Sequence, residues 1–238
     1  MSTWLFDLGN TRLKFAPLRG DGTIGAASAL AHGEDAAWLS QLPEGEVACV
    51  ATVSHRHGAR LLDALAQRFT RLHLARTEPR LGGLTIAYAQ PAHLGVDRFL
   101  ALLARSGEGA SLLVGIGTAL TIDLLDAGGL HRGGRIAPSP QLMREALHAR
   151  VAQLPPSGGG DATFAGDTAA ALASGCEGAA LALVAGSLDA ARTLLGESPT
   201  LVLHGGGARA LRARLPPHRH QPDLVLHGLA RWHALRIA

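Results

Sequence analysis

Asp7-Leu8-Gly9-Asn10-Thr11-Arg12-Leu13-Lys14 follows directly on the apolar stretch Trp4-Leu5-Phe6, and the rest of the chain is read outward from that junction. The apolar run predicts a strand, and the acid near its end enters a turn whose Gly9 and Asn10 tolerate positive φ. The chain then returns with Lys14, a compact and rotatable ammonium. Lys14 is the only lysine among 22 basic residues. Such a hairpin can hold a nucleotide's phosphates; a turn-capping Asp7 and a solvated Lys14 are the alternative on local grounds.

Around this hairpin the pattern is that of an α/β protein. Thr23 to Ser28 is expected as a third strand after the Asp21-Gly22 turn, residues 46–53 as a buried strand, and Gly58 to Phe69 as a helix carrying Leu61, Leu62 and Leu65. A second cycle follows: a helix over Gly95 to Arg105, a strand over Ser111 to Gly115, a return over Thr118 to Leu125, and a third strand after Gly128-Gly129. Met143 to Leu154 reads as a helix and Asp167 to Leu195 as a long or paired one, with Gly175, Gly178 and Gly186 weakening its continuity. Leu201 to His204, Gly205-Gly206-Gly207 and Ala208 to Leu215 form a strand, glycine turn and helix, and Leu226 to Ile237 is an amphipathic closing helix. Two tandem cycles predict a duplicated α/β fold with halves 1–105 and 106–238 and a nucleotide in the cleft between them.

Bulk properties narrow the function classes. A chain of 238 residues buries a sizeable core as one large domain or two small ones. The formal charge of +3 comes from scattered Arg, and only 4% of residues are aromatic, so stacking platforms for bases are few and nucleic-acid binding is not expected. Cys49 and Cys176 lack metal or redox spacing and read as reduced, buried thiols. No leader pattern and no long uncharged apolar segment is evident, so a cytoplasmic protein without membrane association is expected. The His55-Arg56-His57 and His218-Arg219-His220 triplets lack the pairing of a zinc site and read as solvated.

Neither a P-loop nor a dinucleotide fingerprint occurs. Instead Asp7 to Lys14, Gly117-Thr118-Ala119 with Thr121 and Asp123, and Gly205-Gly206-Gly207 resemble the three nucleotide loops of the acetate kinase, sugar kinase, heat-shock protein and actin superfamily. Within it, Tyr88, Leu94-Gly95-Val96-Asp97-Arg98, His131-Arg132-Gly133-Gly134-Arg135-Ile136-Ala137-Pro138 and Gly166-Asp167-Thr168 resemble type III pantothenate kinase. The resemblance implies a duplicated ribonuclease H-like (actin-like ATPase) fold, ATP with Mg²⁺, pantothenate as acceptor and a homodimer.

Residue by residue, it implies that Asp7 holds Mg²⁺, directly or through water, and that Leu8, Gly9, Asn10, Thr11, Arg12, Leu13, Lys14 and Thr118 form the ATP site. Asp97 is implied as the proton acceptor, and Tyr88, Gly95, Val96, Arg98 and Thr168 as pantothenate contacts. A helix-capping role for Asp97, core packing for Tyr88 and a helix N-terminal position for Thr168 stay open on local evidence. Asp123 and Asp126 either assist the metal or turn the chain. Two departures stand out: Gly115 occupies the place of the aspartate that helps bind an activating K⁺ or NH₄⁺, and Ser139 stands where the family commonly has Gly. A regulatory protein like the Bvg accessory factor, and a sugar or acetate kinase, are the competing readings.

Overall fold

The computed structural model describes residues 2–31, 37–160 and 162–237. The chain forms two compact units, the first made of Met1–Glu108, Ala127–His131 and Asp223–Ala238, the second of Gly109–Asp126 and Arg132–Pro222.

In the first unit, β1 (Thr3–Leu8), β2 (Arg12–Leu18), β3 (Ser28–Ala31), β4 (Gly45–Thr52) and β5 (Phe69–Leu74) make one sheet in the order β3-β2-β1-β4-β5. β1 is central, antiparallel to β2 and parallel to β4. Phe6, Leu8, Leu13, Phe15, Val50 and Phe69 of the sheet are buried with Leu61 and Leu65 of α1 (His55–Ala66). Helix α1 starts earlier than its apolar periodicity suggests because Ser54 caps it, accepting a hydrogen bond from the His57 amide at 3.3 Å. It also stops earlier, since Phe69 already belongs to β5. His57 is buried rather than solvated; the side chains of His55 and Arg56 lie outside the described residues.

The third strand also departs from expectation. Asp21 folds the 21–23 turn by accepting from the amide and hydroxyl of Thr23, Ile24 makes only an isolated bridge to Leu18, and regular pairing with β2 begins at Ser28. The β1–β2 turn closes through the Gly9 amide and Arg12 carbonyl at 3.0 Å. Neither Gly9 nor Asn10 takes the positive φ that the sequence suggests. A hairpin β6 (Arg80–Leu81) and β7 (Leu84–Thr85) precedes α2 (Val96–Arg105).

The second unit repeats the sheet. β8 (Ser111–Ile116), β9 (Ala119–Leu125), β10 (His131–Pro138), β11 (Thr200–His204) and β12 (Arg219–His220) stand in the order β10-β9-β8-β11-β12. β8 plays the part of β1, antiparallel to β9 and parallel to β11. Matched order and sense are the duplicated ribonuclease H-like arrangement. Helix α3 (Pro140–Arg150) begins three residues before the expected Met143 because Ser139 accepts from the Leu142 amide at 3.2 Å and Pro140 opens the first turn.

Helix α4 (Thr168–Leu195) is continuous, capped by Asp167 and ended by Gly196 in the left-handed region. Its Ala180, Val184, Leu188 and Ala191 enter the core beside β8, β9 and β11, while no atom lies within 4 Å of where a Cβ would stand on Gly175, Gly178 or Gly186. Among the described residues it alone is long and apolar enough, by length and composition, to cross a membrane. Helix α5 (Ala208–Leu211) gives way to a 3₁₀ turn over Arg212–Arg214.

The last helix, α6 (Leu224–Arg236), belongs to the first unit, although it follows the second half in sequence. It packs along α2 so closely that a Cβ on Gly228 would stand 2.0 Å from the Leu100 carbonyl oxygen. Arg231 ties the pair further by donating to the carbonyls of Leu103, Ser106 and Gly82. Replacing Gly228 by Ala forces the helices apart and costs about 1–3 kcal/mol. The control Gly186→Ala, in open space on a helix, stabilises by about 0.5–1 kcal/mol; the two shifts in urea midpoint should have opposite signs.

Candidate functional site

Strand pairing brings the first residues together. The β1–β2 register sets Asp7 directly opposite Lys14, so both side chains leave the same face of the sheet. Solvent reaches part of Asp7, yet its carboxyl is closely surrounded by protein. Burial raises its pKa, the Asp97 carboxylate raises it further and the Lys14 ammonium opposes the rise, with the result near pH 7 (about 7 against an ordinary 3.8). Two acids thus share one electrostatic neighbourhood. Lys14 is also 3.5 Å from Asp223 Oδ1, immediately before α6.

Asp97 lies in the first turn of α2, where its Oδ1 accepts from the Arg98 amide at 2.8 Å. That carboxyl folds back over Gly95: a Cβ there would stand 2.6 Å from Asp97 Oδ1. The glycine two residues before the acid is therefore steric, since any side chain would displace the carboxylate.

Arg98 is buried, and its Nη1 donates to the Tyr88 hydroxyl at 3.3 Å while its guanidinium carbon lies 5.8 Å from the ring centroid. Tyr88 in turn stacks on His131, with centroids 6.0 Å apart and planes 11° from parallel. Asp7, Lys14, Asp97, Tyr88 and Arg98 all belong to the first unit.

Thr118, Gly115 and Thr168 belong to the second unit. Thr118 is exposed on the β8–β9 turn, which the Gly117 amide closes onto the Ala119 carbonyl at 2.9 Å. The Gly205-Gly206-Gly207 loop is joined to the same strand end, for the Gly207 amide donates to Ile116 O at 2.9 Å and a Cβ on Gly205 would collide with that oxygen at 2.4 Å. The Gly117-Thr118-Ala119 turn and the Gly205-Gly206-Gly207 loop are thus one backbone assembly. Ser139 is absorbed into the same region, its amide reaching Thr118 O at 3.4 Å.

Gly115 sits in register with His204 on the neighbouring strand. A Cβ at 115 would stand 2.7 Å from Thr121 Oγ1 and 2.8 Å from the His204 ring, so these two side chains fill the space a larger residue would use. Thr168 is exposed at the first position of α4. Asp126 pairs with Arg132 at 3.5 Å, which favours its structural reading. Cys49 and Cys176 are both buried free thiols, and burial pushes the Cys49 thiol up to about 12.

The family model for type III pantothenate kinase matches residues 4–190. The chain belongs to this family. It is 55% identical over 237 residues to the type III pantothenate kinase of Stenotrophomonas maltophilia (strain K279a), covering 98% of this chain and 97% of that protein. It is 54% identical over 237 residues, with the same coverage, to the type III pantothenate kinase of Xanthomonas campestris pv. campestris (strain B100). Among solved structures, a Baf family transcriptional activator from Campylobacter jejuni superposes with a TM-score of 0.67 at 19% identity over 97% of both chains. A 2-dehydro-3-deoxygalactonokinase protein from Sinorhizobium meliloti gives 0.57 at 14% identity over 99% of this chain and 100% of that one. At these identities the structural likenesses establish the fold.

Sequence reading of this pantothenate kinase family member missed Asp223 beside Lys14 and His204 beside Gly115, and it quoted His131 within a family motif without giving it a role. Asp223 and His204 approach from distant stretches of chain, so no local motif marks those contacts.

The raised Asp7 pKa has a stability consequence with a definite sign. The folded protein binds the Asp7 proton more tightly than the unfolded chain, so stability is full below the unfolded pKa near 3.8 and is lost as pH rises to about 7. Asp7→Asn, which cannot ionise, should therefore gain stability over the wild type through this interval and keep the gain above it. Melting temperatures at pH 4, 6 and 8 check this; an advantage that shrinks as pH rises would contradict it.

Proposed function

We propose that this protein transfers the γ-phosphoryl group of ATP to the hydroxyl of pantothenate, giving 4′-phosphopantothenate and ADP in the first step of coenzyme A synthesis. The observation that carries the reading is the meeting, in one unit, of the Asp7–Lys14 strand pair with Asp97 at the start of α2.

Mg²⁺ fits the residues present. Asp7, whose proton affinity the Asp97 carboxylate helps to raise, is a hard oxygen donor beside a second acid, and a divalent cation relieves the repulsion. Asp7 would hold the ion, directly or through water, and its chemistry there is to neutralise charge on the transferring phosphoryl oxygens. Lys14 supplies further positive charge, and the backbone of Gly9, Asn10 and Thr11 offers donors to the phosphates. Asp97 accepts the proton of the attacking hydroxyl. Because phosphoryl transfer is loose, orienting that hydroxyl matters as much as removing its proton. Arg98 and Tyr88 hold pantothenate, the guanidinium being suited to its carboxylate or amide carbonyl.

The monovalent cation implied by the family does not fit. Where that role calls for a carboxylate the chain has Gly115, and a threonine hydroxyl and an imidazole crowd the space. No catalytic step is assigned to K⁺ or NH₄⁺.

The family resemblance supports a homodimer, and Phe164 and Ile136, large apolar residues 97% and 65% exposed in the second unit, are natural candidates for cover. A cytoplasmic setting suits two free thiols and a soluble substrate pair. Light scattering measures the dimer.

ADP release by purified protein, coupled to a spectrophotometric readout, should depend on pantothenate. Asp97→Asn should lower kcat about 100-fold or more while leaving ATP affinity nearly unchanged. Absence of pantothenate-dependent ADP release in the wild type would overturn the assignment and favour a regulatory role. Turnover should be the same when K⁺ is replaced by Na⁺ or a bulky organic cation; activation by K⁺ would show that another ligand replaces the missing carboxylate.

A further inference from the structure

The segment Ala127–His131 leaves the second unit's run of sequence to join the first, and its attachment is specific. Gly129 has φ 83°, and a Cβ on it would stand 2.1 Å from the Gly83 carbonyl oxygen. Backbone therefore lies against backbone, which only glycine permits there. The Thr85 amide donates to Gly129 O at 2.9 Å, and Thr85 bridges Leu130 in parallel sense. The segment is thus fastened to the β6–β7 hairpin by main-chain contacts and ends on His131, whose side chain has no exposed surface.

A fully buried imidazole is held in one orientation by its surroundings and can pass that orientation to a ring packed against it. Its ring lies parallel to Tyr88 at 6.0 Å, and its Nδ1 is 3.5 Å from the Ala87 amide, the residue before Tyr88. Tyr88 itself has only modest burial and stands in irregular chain between β7 and α2, so neither strand pairing nor a helix fixes its ring. Its ring meets the flat face of His131, and the Arg98 guanidinium lies by the ring and donates to its hydroxyl.

We propose that His131 is a positioning residue for the acceptor pocket, holding the Tyr88 ring and, through the Tyr88 hydroxyl, the Arg98 guanidinium in the arrangement that receives pantothenate. This rests on the reading of Tyr88 and Arg98 as substrate contacts. The loop segment thereby sets affinity for the acceptor without touching ATP or the reacting atoms.

The test compares two replacements that both fill the site and both lose the Nδ1 acceptor, but of which only one stacks. His131→Phe keeps an aromatic face against Tyr88; His131→Leu does not. The leucine variant should raise KM for pantothenate about fivefold to tenfold, the range of an aromatic pair, with KM for ATP unchanged and the phenylalanine variant close to wild type. Tyr88 is the chain's only tyrosine, so ring-labelled tyrosine gives a single NMR signal that reports the pocket without turnover. Pantothenate alone should shift that signal at lower concentration in wild type and His131→Phe than in His131→Leu. Equal pantothenate KM and equal NMR titrations in all three proteins would overturn the inference, as would a rise in both KM values together. If the wild type itself neither turns over nor binds pantothenate, the failure belongs to the functional reading, and that is seen before any variant is made.

Discussion

The Asp7 carboxyl stands where ionisation is penalised, and much of the first unit is arranged around that penalty. It sits on the central strand, between Phe6 and Leu8, whose burial fixes the alternation of β1 and hence the face from which Asp7 emerges. A slip of one residue in the β1–β2 pairing would turn Asp7 into the apolar core and separate it from Lys14. The hydrophobic core therefore sets the register, and the register sets the electrostatics. Asp97, arriving from α2, adds a second negative charge to a place already short of water. Such a pair is poorly matched to the free protein and well matched to a bound cation, which is how a site stores preference for its ligand.

Glycine in this chain serves close approach more than flexibility. Gly95 leaves room for the Asp97 carboxyl, Gly228 lets α6 lie on α2, and Gly205 and Gly207 bring the third loop onto Ile116. At Gly95, Gly228 and Gly205 a methyl group would meet a carboxylate or backbone oxygen, and at Gly207 it would meet the Ile116 side chain at 2.8 Å. Gly115 is different, because what it admits is the His204 ring and the Thr121 hydroxyl. The same residue type thus lets backbone close on backbone at Gly205 and Gly228 and, at position 115, makes room for two side chains.

The first unit is completed by pieces of chain remote in sequence. Leu224–Arg236 return to it as α6, because the apolar Leu224, Leu226, Leu229 and Trp232 of that helix find their burial there. The return also carries Asp223 to Lys14. Residues 127–131 return to it as well and bring His131 beneath Tyr88.

The sequence by itself determined the two cycles of strand, turn and strand, the hairpin that pairs Asp7 with Lys14, and the continuity of residues 95–98 with a helix start. These are short-range properties: alternation, turn chemistry and capping act within a few residues, and a motif records them. Helix starts at Ser54 and Ser139 were legible in principle as serine caps, but the apolar periodicity that begins later masked them. Only the tertiary structure decided that α6 completes the first unit, that Asp223 and His131 stand beside site residues, and that His204 fills the space over Gly115. Those contacts join positions whose separation along the chain leaves no period or spacing to read, and packing alone selects which of them meet.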